Sequence, residues 1–178
     1  RVQAMNEPLA TYTTHDGSEY SVIERPEVPD GALVMSFRLL PSAGSPPPHL
    51  HPQTVEVFEV LEGELEMLVG RAWRTARAGE SVTVNPGVRH TFRNTSGAEV
   101  IVRNVHDPHH GFEVDIRSIA RVSQQMQAMT PRSPRAAMQM ALLWRRHDDL
   151  IRPADAPMRA AFGLLQGVGR LTRQSPPQ

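Results

Sequence analysis

Apolar and polar residues alternate along much of the first two thirds of the chain. In ALVMSFRLL, residues 32–40, Met35, Phe37 and Leu39 fall on one side, with Ser36 and Arg38 on the other. That two-residue period predicts a half-buried strand. In VEVFEVLEGELEMLVG, residues 55–70, two alternating arms flank Glu62-Gly63 and predict a hairpin. Its first arm sets Glu56, Phe58 and Val60 against Val55, Val57 and Glu59; its second sets Leu65, Met67 and Val69 against Glu64, Glu66 and Leu68. Residues 20 to about 107 read as strands overall, with further short ones at 81–87, 89–94 and 99–106. Turn signals at Gly70, Gly79, Pro86-Gly87 and Ser96-Gly97 are spaced for a small antiparallel barrel or sandwich.

The period changes after about residue 112. Residues 113–129 and 135–151 read as helices, separated by PRSP at 131–134, with Pro134 near the first turn of the second. After a break at 152–157, residues 158–173 set Met158, Ala161, Phe162, Leu165 and Val168 on one stripe. Gly163, Gly167 and Gly169 each weaken that helix by up to about 1 kcal/mol. The closing QSPPQ is expected to fray. The pattern thus predicts a β body, residues 1–112, and a helical extension, residues 113–178.

Composition narrows the chemistry. The 178 residues contain no cysteine, which excludes disulfides, thiolate metal sites and cysteine nucleophiles. All 19 basic residues are arginine, so lysine Schiff-base chemistry is excluded as well. Net charge is zero but unevenly placed: residues 1–117 hold 10 Arg against 16 acids, and residues 118–178 hold 9 Arg against 3. A tail of +6 facing a body of −6 is expected to dock on its own barrel or across a dimer. The expectation is therefore no nucleic-acid partner and no peripheral membrane contact. No apolar run reaches the length of a membrane-spanning helix. The first residues lack the apolar stretch of a signal peptide, and a cytoplasmic location is the expectation.

Any metal must be held by His, Asp, Glu or backbone oxygen. His49 and His51 stand at i and i+2, so on a strand both imidazoles point to one face. Glu56 shares its predicted face with Phe58 and Val60, a costly place for a carboxylate without a positive partner. A metal ion bound by the two histidines would explain it, and ordinary strand-turn-strand structure is the competing account. His90, sharing a face with Phe92 and Asn94 after the Pro86-Gly87 turn, could close such a site. Glu59, Glu62, Glu64 and Glu66 are expected to be solvated. His106, His109 and His110 read as a polar exit loop, and His15 and His147 as exposed.

The spacing resembles that of the cupins. The family's first motif, G-x5-H-x-H-x3–4-E-x6-G, is matched by Gly44, His49, His51, Glu56 and Gly63, with one residue fewer after Gly44. The second, G-x5-P-x-G-x2-H-x3-N, is matched by Gly79, Gly87, His90 and Asn94, with Asn85 at the first proline and Pro86 beside it. The core motifs span residues 44–94. The resemblance implies a mainly β fold, the cupin double-stranded β-helix or jelly-roll barrel, here with a C-terminal α-helical extension. It implies that His49, His51, Glu56 and His90 bind one divalent ion, with Fe, Mn, Ni, Cu and Zn all suited to the donor set. It also implies an oxygenase-type enzyme, similar to quercetinase-like dioxygenases, with Glu56 as catalytic base and a homodimeric assembly. A non-redox isomerase or lyase, and a cupin that binds a small ligand without turnover, are the alternatives. Met35, Phe37, Phe58, Met67 and Phe92 would supply an apolar wall for a small-molecule substrate.

Overall fold

The structure, a computed structural model, describes residues 6–28, 30–43, 46–127 and 134–171. Gly44, the Pro131-Arg132-Ser133 break, Met129 and the closing QSPPQ lie outside the described residues. Among the described residues the body contains ten strands: β1 (Ala10–Thr13), β2 (Glu19–Glu24), β3 (Leu33–Leu39), β4 (His49–Leu50), β5 (Val55–Glu62), β6 (Glu64–Val69), β7 (Ala72–Arg77), β8 (Ser81–Val84), β9 (His90–Arg93) and β10 (Val100–Asp107). The extension contains α1 (Phe112–Gln127), α2 (Pro134–Arg146), the short strand β11 (Arg152–Pro153) and α3 (Ala156–Leu171).

Two antiparallel sheets form, ordered β1-β2-β3-β10-β5-β8 and β11-β4-β9-β6-β7. Their inner faces share one core, in which Phe37, Phe58, Leu39, Val60 and Val102 from the first sheet meet Leu65, Met67 and Phe92 from the second. Alternation decides which side chains enter. Along β5, Glu56, Phe58 and Val60 are buried while their neighbours are partly exposed. Along β10, Val100, Val102, Asn104 and His106 turn inward. Leu68, placed by period with the solvated glutamates, is also buried.

The predicted hairpin turns at Gly63, whose φ is +79°. A Cβ there would lie 2.6 Å from the Glu99 carbonyl oxygen, so both backbone conformation and close approach require glycine. Strand β7 has no apolar period; apart from Ala76 it is exposed, as an edge strand can be. Trp73 on β7 is covered by the Arg93 guanidinium at 4.0 Å, and Arg93 pairs with Glu66 at 2.6 Å.

Three helices follow the barrel, and two boundaries differ from expectation. The second helix ends at Arg146 rather than 151, because the chain turns at His147 and buries Leu150 and Ile151 separately. The third begins at Ala156, with Pro157 in its first turn where a missing N–H costs no helical bond. Met158, Phe162 and Leu165 of the expected stripe face inward, joined by Gly169. Ala161 is exposed and Val168 is 50% exposed. Gly169 lies against Leu142, where a Cβ would be 3.2 Å from the leucine side chain. Its small size lets the two helices approach.

The extension joins the barrel through backbone and apolar contacts. Strand β11 pairs with β4, Arg152 opposite Leu50 and Pro153 opposite His49. The Ala154 N–H donates to the Pro48 carbonyl at 3.1 Å. Phe112 and Ile116 belong to the barrel core, while Val122, Leu143, Trp144 and Ile151 form a second cluster bridged to it by Ile119. Two ion pairs across the boundary, Arg25 with Glu113 and Arg89 with Asp155, set barrel arginines against acids of the extension. The second of these runs opposite to the net charges of residues 1–117 and 118–178. Among the described residues, no helix is long and apolar enough to cross a membrane.

Candidate metal centre

His49 lies on β4 directly opposite His90 on β9. His51 follows two residues on, its carbonyl accepting from the Gly87 N–H at 2.8 Å. That bond ties the first histidine segment to the turn preceding His90. Gly87 has φ of +76°, a left-handed turn conformation that glycine adopts without strain. The Thr91 hydroxyl donates to the Pro46 carbonyl at 2.6 Å, fastening the proline-rich approach to β4. Asn94 donates to the carbonyls of Leu39, Leu40 and Ala98 and accepts from Ser96. Its burial is thus a matter of stapling loops.

His49, His51, Glu56 and His90 are all buried, and each brings one donor atom to a group within 4.8 Å of one another. The imidazole rings are 4.3 Å apart for His49 and His90, and 5.2 Å apart for His51 and His90. Outer partners orient them. Nδ1 of His49 donates to the Pro47 carbonyl at 2.9 Å, Nδ1 of His51 to Leu150 at 2.7 Å, and Nδ1 of His90 to Val88 at 2.9 Å. A proton on Nδ1 leaves Nε2 of a neutral imidazole as a lone pair.

That tautomer creates a conflict inside the protein. His90 Nε2 is 2.9 Å and His51 Nε2 3.4 Å from the same oxygen, Glu56 Oε2. None of these three atoms has a hydrogen-bond partner of proper geometry. Close approach without alignment means lone pairs facing lone pairs. Such an arrangement is unfavourable unless a cation or an added proton sits among the atoms. Three nitrogens and one carboxylate oxygen suit a divalent transition metal. The residues present therefore could hold one.

Electrostatics agree with a cation-seeking site. Burial opposes a charge on Glu56, yet His106, His51 and His90 together hold its carboxyl well below the usual carboxylate range. Burial pulls His49 well below the ordinary imidazole range, and the neighbouring histidines add to it. Burial would lower His51 too, but Glu56 outweighs it and leaves His51 raised.

The four residues expected at a metal site converge, and Glu59, Glu62, Glu64 and Glu66 stay partly or fully exposed. Met35, Phe37, Phe58, Met67 and Phe92 are buried and belong to the barrel core. Phe58 and Phe92 are 5.5 Å apart, and Phe58 meets the His90 ring at 6.4 Å. His15 is exposed, its Nδ1 bonded to the Ser123 hydroxyl at 2.7 Å. His147 is half-buried rather than exposed.

His106 corrects the exit-loop expectation for itself. It is fully buried, lies opposite Glu56 in the strand register, and brings Nε2 to 3.2 Å from Glu56 Oε1. Burial lowers its pKa. The Asn104 amide donates to the same Oε1 at 2.9 Å. Oε1 is thus held by Asn104 of β10, neither ring nitrogen of His106 having a hydrogen-bond partner, while Oε2 faces the other imidazoles. The signal was present in the chain: Val100 and Val102 point inward, so Asn104 and His106 must follow at period two.

The extension contributes the remaining surroundings. Phe112 stacks on His106 with centroids 3.6 Å apart and meets His51 edge-on at 5.6 Å. Trp144 lies edge-on to His49 at 5.9 Å and to Phe162 at 5.4 Å. With the Leu150 carbonyl on His51, three separate parts of the extension touch the histidines. Asp115, one helical turn after Phe112, is fully buried, and neither carboxylate oxygen has a hydrogen-bond partner. Burial pushes its carboxyl up to about 7, against a pull from His51.

A two-sheet jelly roll carrying this histidine-glutamate group at the interior face is the cupin arrangement. Residues 35–106 match the family described as Cupin domain (Cupin_2), and the chain carries a cupin domain there. A solved RmlC-like cupin from Shewanella frigidimarina NCIMB 400 is similar at a TM-score of 0.51 and 18% identity, covering 58% of this chain and 87% of that one. TT1209 from Thermus thermophilus gives 0.45 and 23%, covering 61% and 91%. A sugar phosphate isomerase from a cupin superfamily, from Silicibacter pomeroyi DSS-3, gives 0.47 and 23%, covering 52% and 60%. No curated protein matches the chain.

Proposed function

We propose that this chain is a metal-dependent cupin of the oxygenase type, acting on a small organic substrate at one divalent ion held by His49, His51, Glu56 and His90. The supporting observation is the meeting of two imidazole lone pairs with Glu56 Oε2 in a buried space. When bound, an ion such as Fe, Mn, Ni, Cu or Zn would polarise the substrate or, if redox-active, activate oxygen. The chain's own residues do the rest. Asn104 keeps Oε1 of Glu56 on the protein, leaving Oε2 as the oxygen that faces the histidines and is able to take a proton from substrate. Phe112, Trp144 and Leu150 exclude water from the histidines. Met35, Phe37, Phe58, Met67 and Phe92 make the apolar wall, which favours a small uncharged substrate.

Protein purified without chelator or histidine tag is expected to carry about one ion per chain, and His90→Ala and Glu56→Gln little. Oxygen uptake is expected with flavonols or other small enols when Fe, Mn, Ni or Cu is loaded, and none with Zn. Trace metal unaltered by either substitution would refute the site. A Lewis-acid isomerase or lyase is the second reading, favoured by the additional buried carboxyl of Asp115. Turnover with zinc and without oxygen uptake would select it, and tight ligand binding without turnover would select a sensory role. The assembly proposed is a homodimer through the sheets, read by sedimentation.

A further inference from the structure

Asp115 is a buried titratable group that the oxygenase reading gives no part. It shares the inward face of α1 with Phe112, Ile116 and Ile119, at positions i, i+3, i+4 and i+7 from Phe112. Phe112 and Ile116 belong to the barrel core, and Ile119 touches both clusters. Asp115 is therefore carried to the seam between barrel and extension, on the side where Phe112 covers His106 and His51. Its carboxylate is electrostatically coupled to His51, yet stands outside the group whose donor atoms lie within 4.8 Å of one another.

Ordinary explanations for an acid here are weak. The N-terminal turn of α1 favours acids, but Glu113 already occupies that turn and is paired with Arg25 and Tyr12. Asp115 differs in having both oxygens buried with no donor. A carboxylate so placed costs stability unless something donates to it. Nothing described in the protein does.

We propose that Asp115 is a ligand-contacting residue, accepting a hydrogen bond from a hydroxyl, enol or amine of the small molecule that meets the metal centre. The ligand class is then a compound with two polar points: one directed at the histidine-glutamate group, the other a donor directed at α1. This rests on the metal reading, and the test keeps the two apart. Wild type, Asp115→Asn and Asp115→Leu are loaded with Co(II), whose absorption spectrum reports on added ligands. Catechol, which carries hydroxyl donors, and azide, which carries none, are then titrated.

Metal content in both variants should equal wild type, measured before any probe is added. Above pH 7, where the carboxyl is ionised, catechol affinity should fall about tenfold or more in Asp115→Leu, the loss expected for one hydrogen bond to a charged acceptor, and less in Asp115→Asn, which keeps an oxygen acceptor. Azide affinity should not fall in either. Catechol binding within twofold of wild type in both variants would overturn the proposal. So would loss of the metal itself in the variants, which would make Asp115 a support of the metal site. A wild-type spectrum that neither probe alters would remove the ligand site. Wild type that takes up no cobalt would refute the metal reading itself, and this proposal with it.

Discussion

Replacing Asp115 by Asn should make the metal-free protein more stable, and the gain should grow with pH. The buried carboxyl is pushed up from 3.8 to about 7. Between those values the folded chain holds a proton that the unfolded chain has released. Stability therefore falls as pH rises through that interval, by about 1.4 kcal/mol per pH unit. Over about three units the accumulated penalty is on the order of 4 kcal/mol, fully present above about pH 7 and absent below about pH 4. The asparagine variant lacks it. Urea denaturation of both proteins, chelator-treated, at intervals from pH 4.5 to 8.5 gives the difference directly. Asparagine has its own pH-independent effect, so the quantity to read is the change in that difference. A flat difference, or one that widens toward acid, would refute the argument that burial dominates at this residue.

Gly63→Ala should cost about 1–3 kcal/mol or more in chemical denaturation, because a left-handed residue gains a side chain that meets the Glu99 carbonyl. Trp144→Ala should cost about 3–5 kcal/mol by the same measurement, the usual loss for a buried aromatic. Zinc at a hundredfold excess over its dissociation constant should stabilise wild type by about 2.7 kcal/mol in thermal melts. His51→Ala should abolish that increment; a variant that keeps it would show the ion bound elsewhere.

The barrel was legible wherever period two was uninterrupted. Strands β3, β5, β6 and β10 fall within a residue or two of their expected positions, because one face of each packs into a common core. Strand β7 was not, since an exposed edge strand has little apolar pattern to show. The four convergent donors were legible from spacing. His106 was missed because three histidines close together read as a polar loop, whereas strand β10 runs on past the first of them. Asp115, Leu150 and Phe112 could not be read as neighbours of the histidines at all. Their role depends on how the extension folds back, and a backbone carbonyl such as that of Leu150 leaves no mark on side-chain pattern. The charge asymmetry pointed to docking, while the Arg89–Asp155 pair across the seam runs against it.

The pairing of β11 with β4 also bears on self-association. A two-residue strand such as β4 at the margin of a sheet would otherwise offer open N–H and C=O groups to another chain. The extension occupies that margin and ends it on Pro153, a residue with no N–H to give. A further strand finds little to build on there. Among the described residues, copies of this protein that join through sheet edges are left with β1, β7 or β8, and the segment bearing His49 stays out of reach of strand exchange.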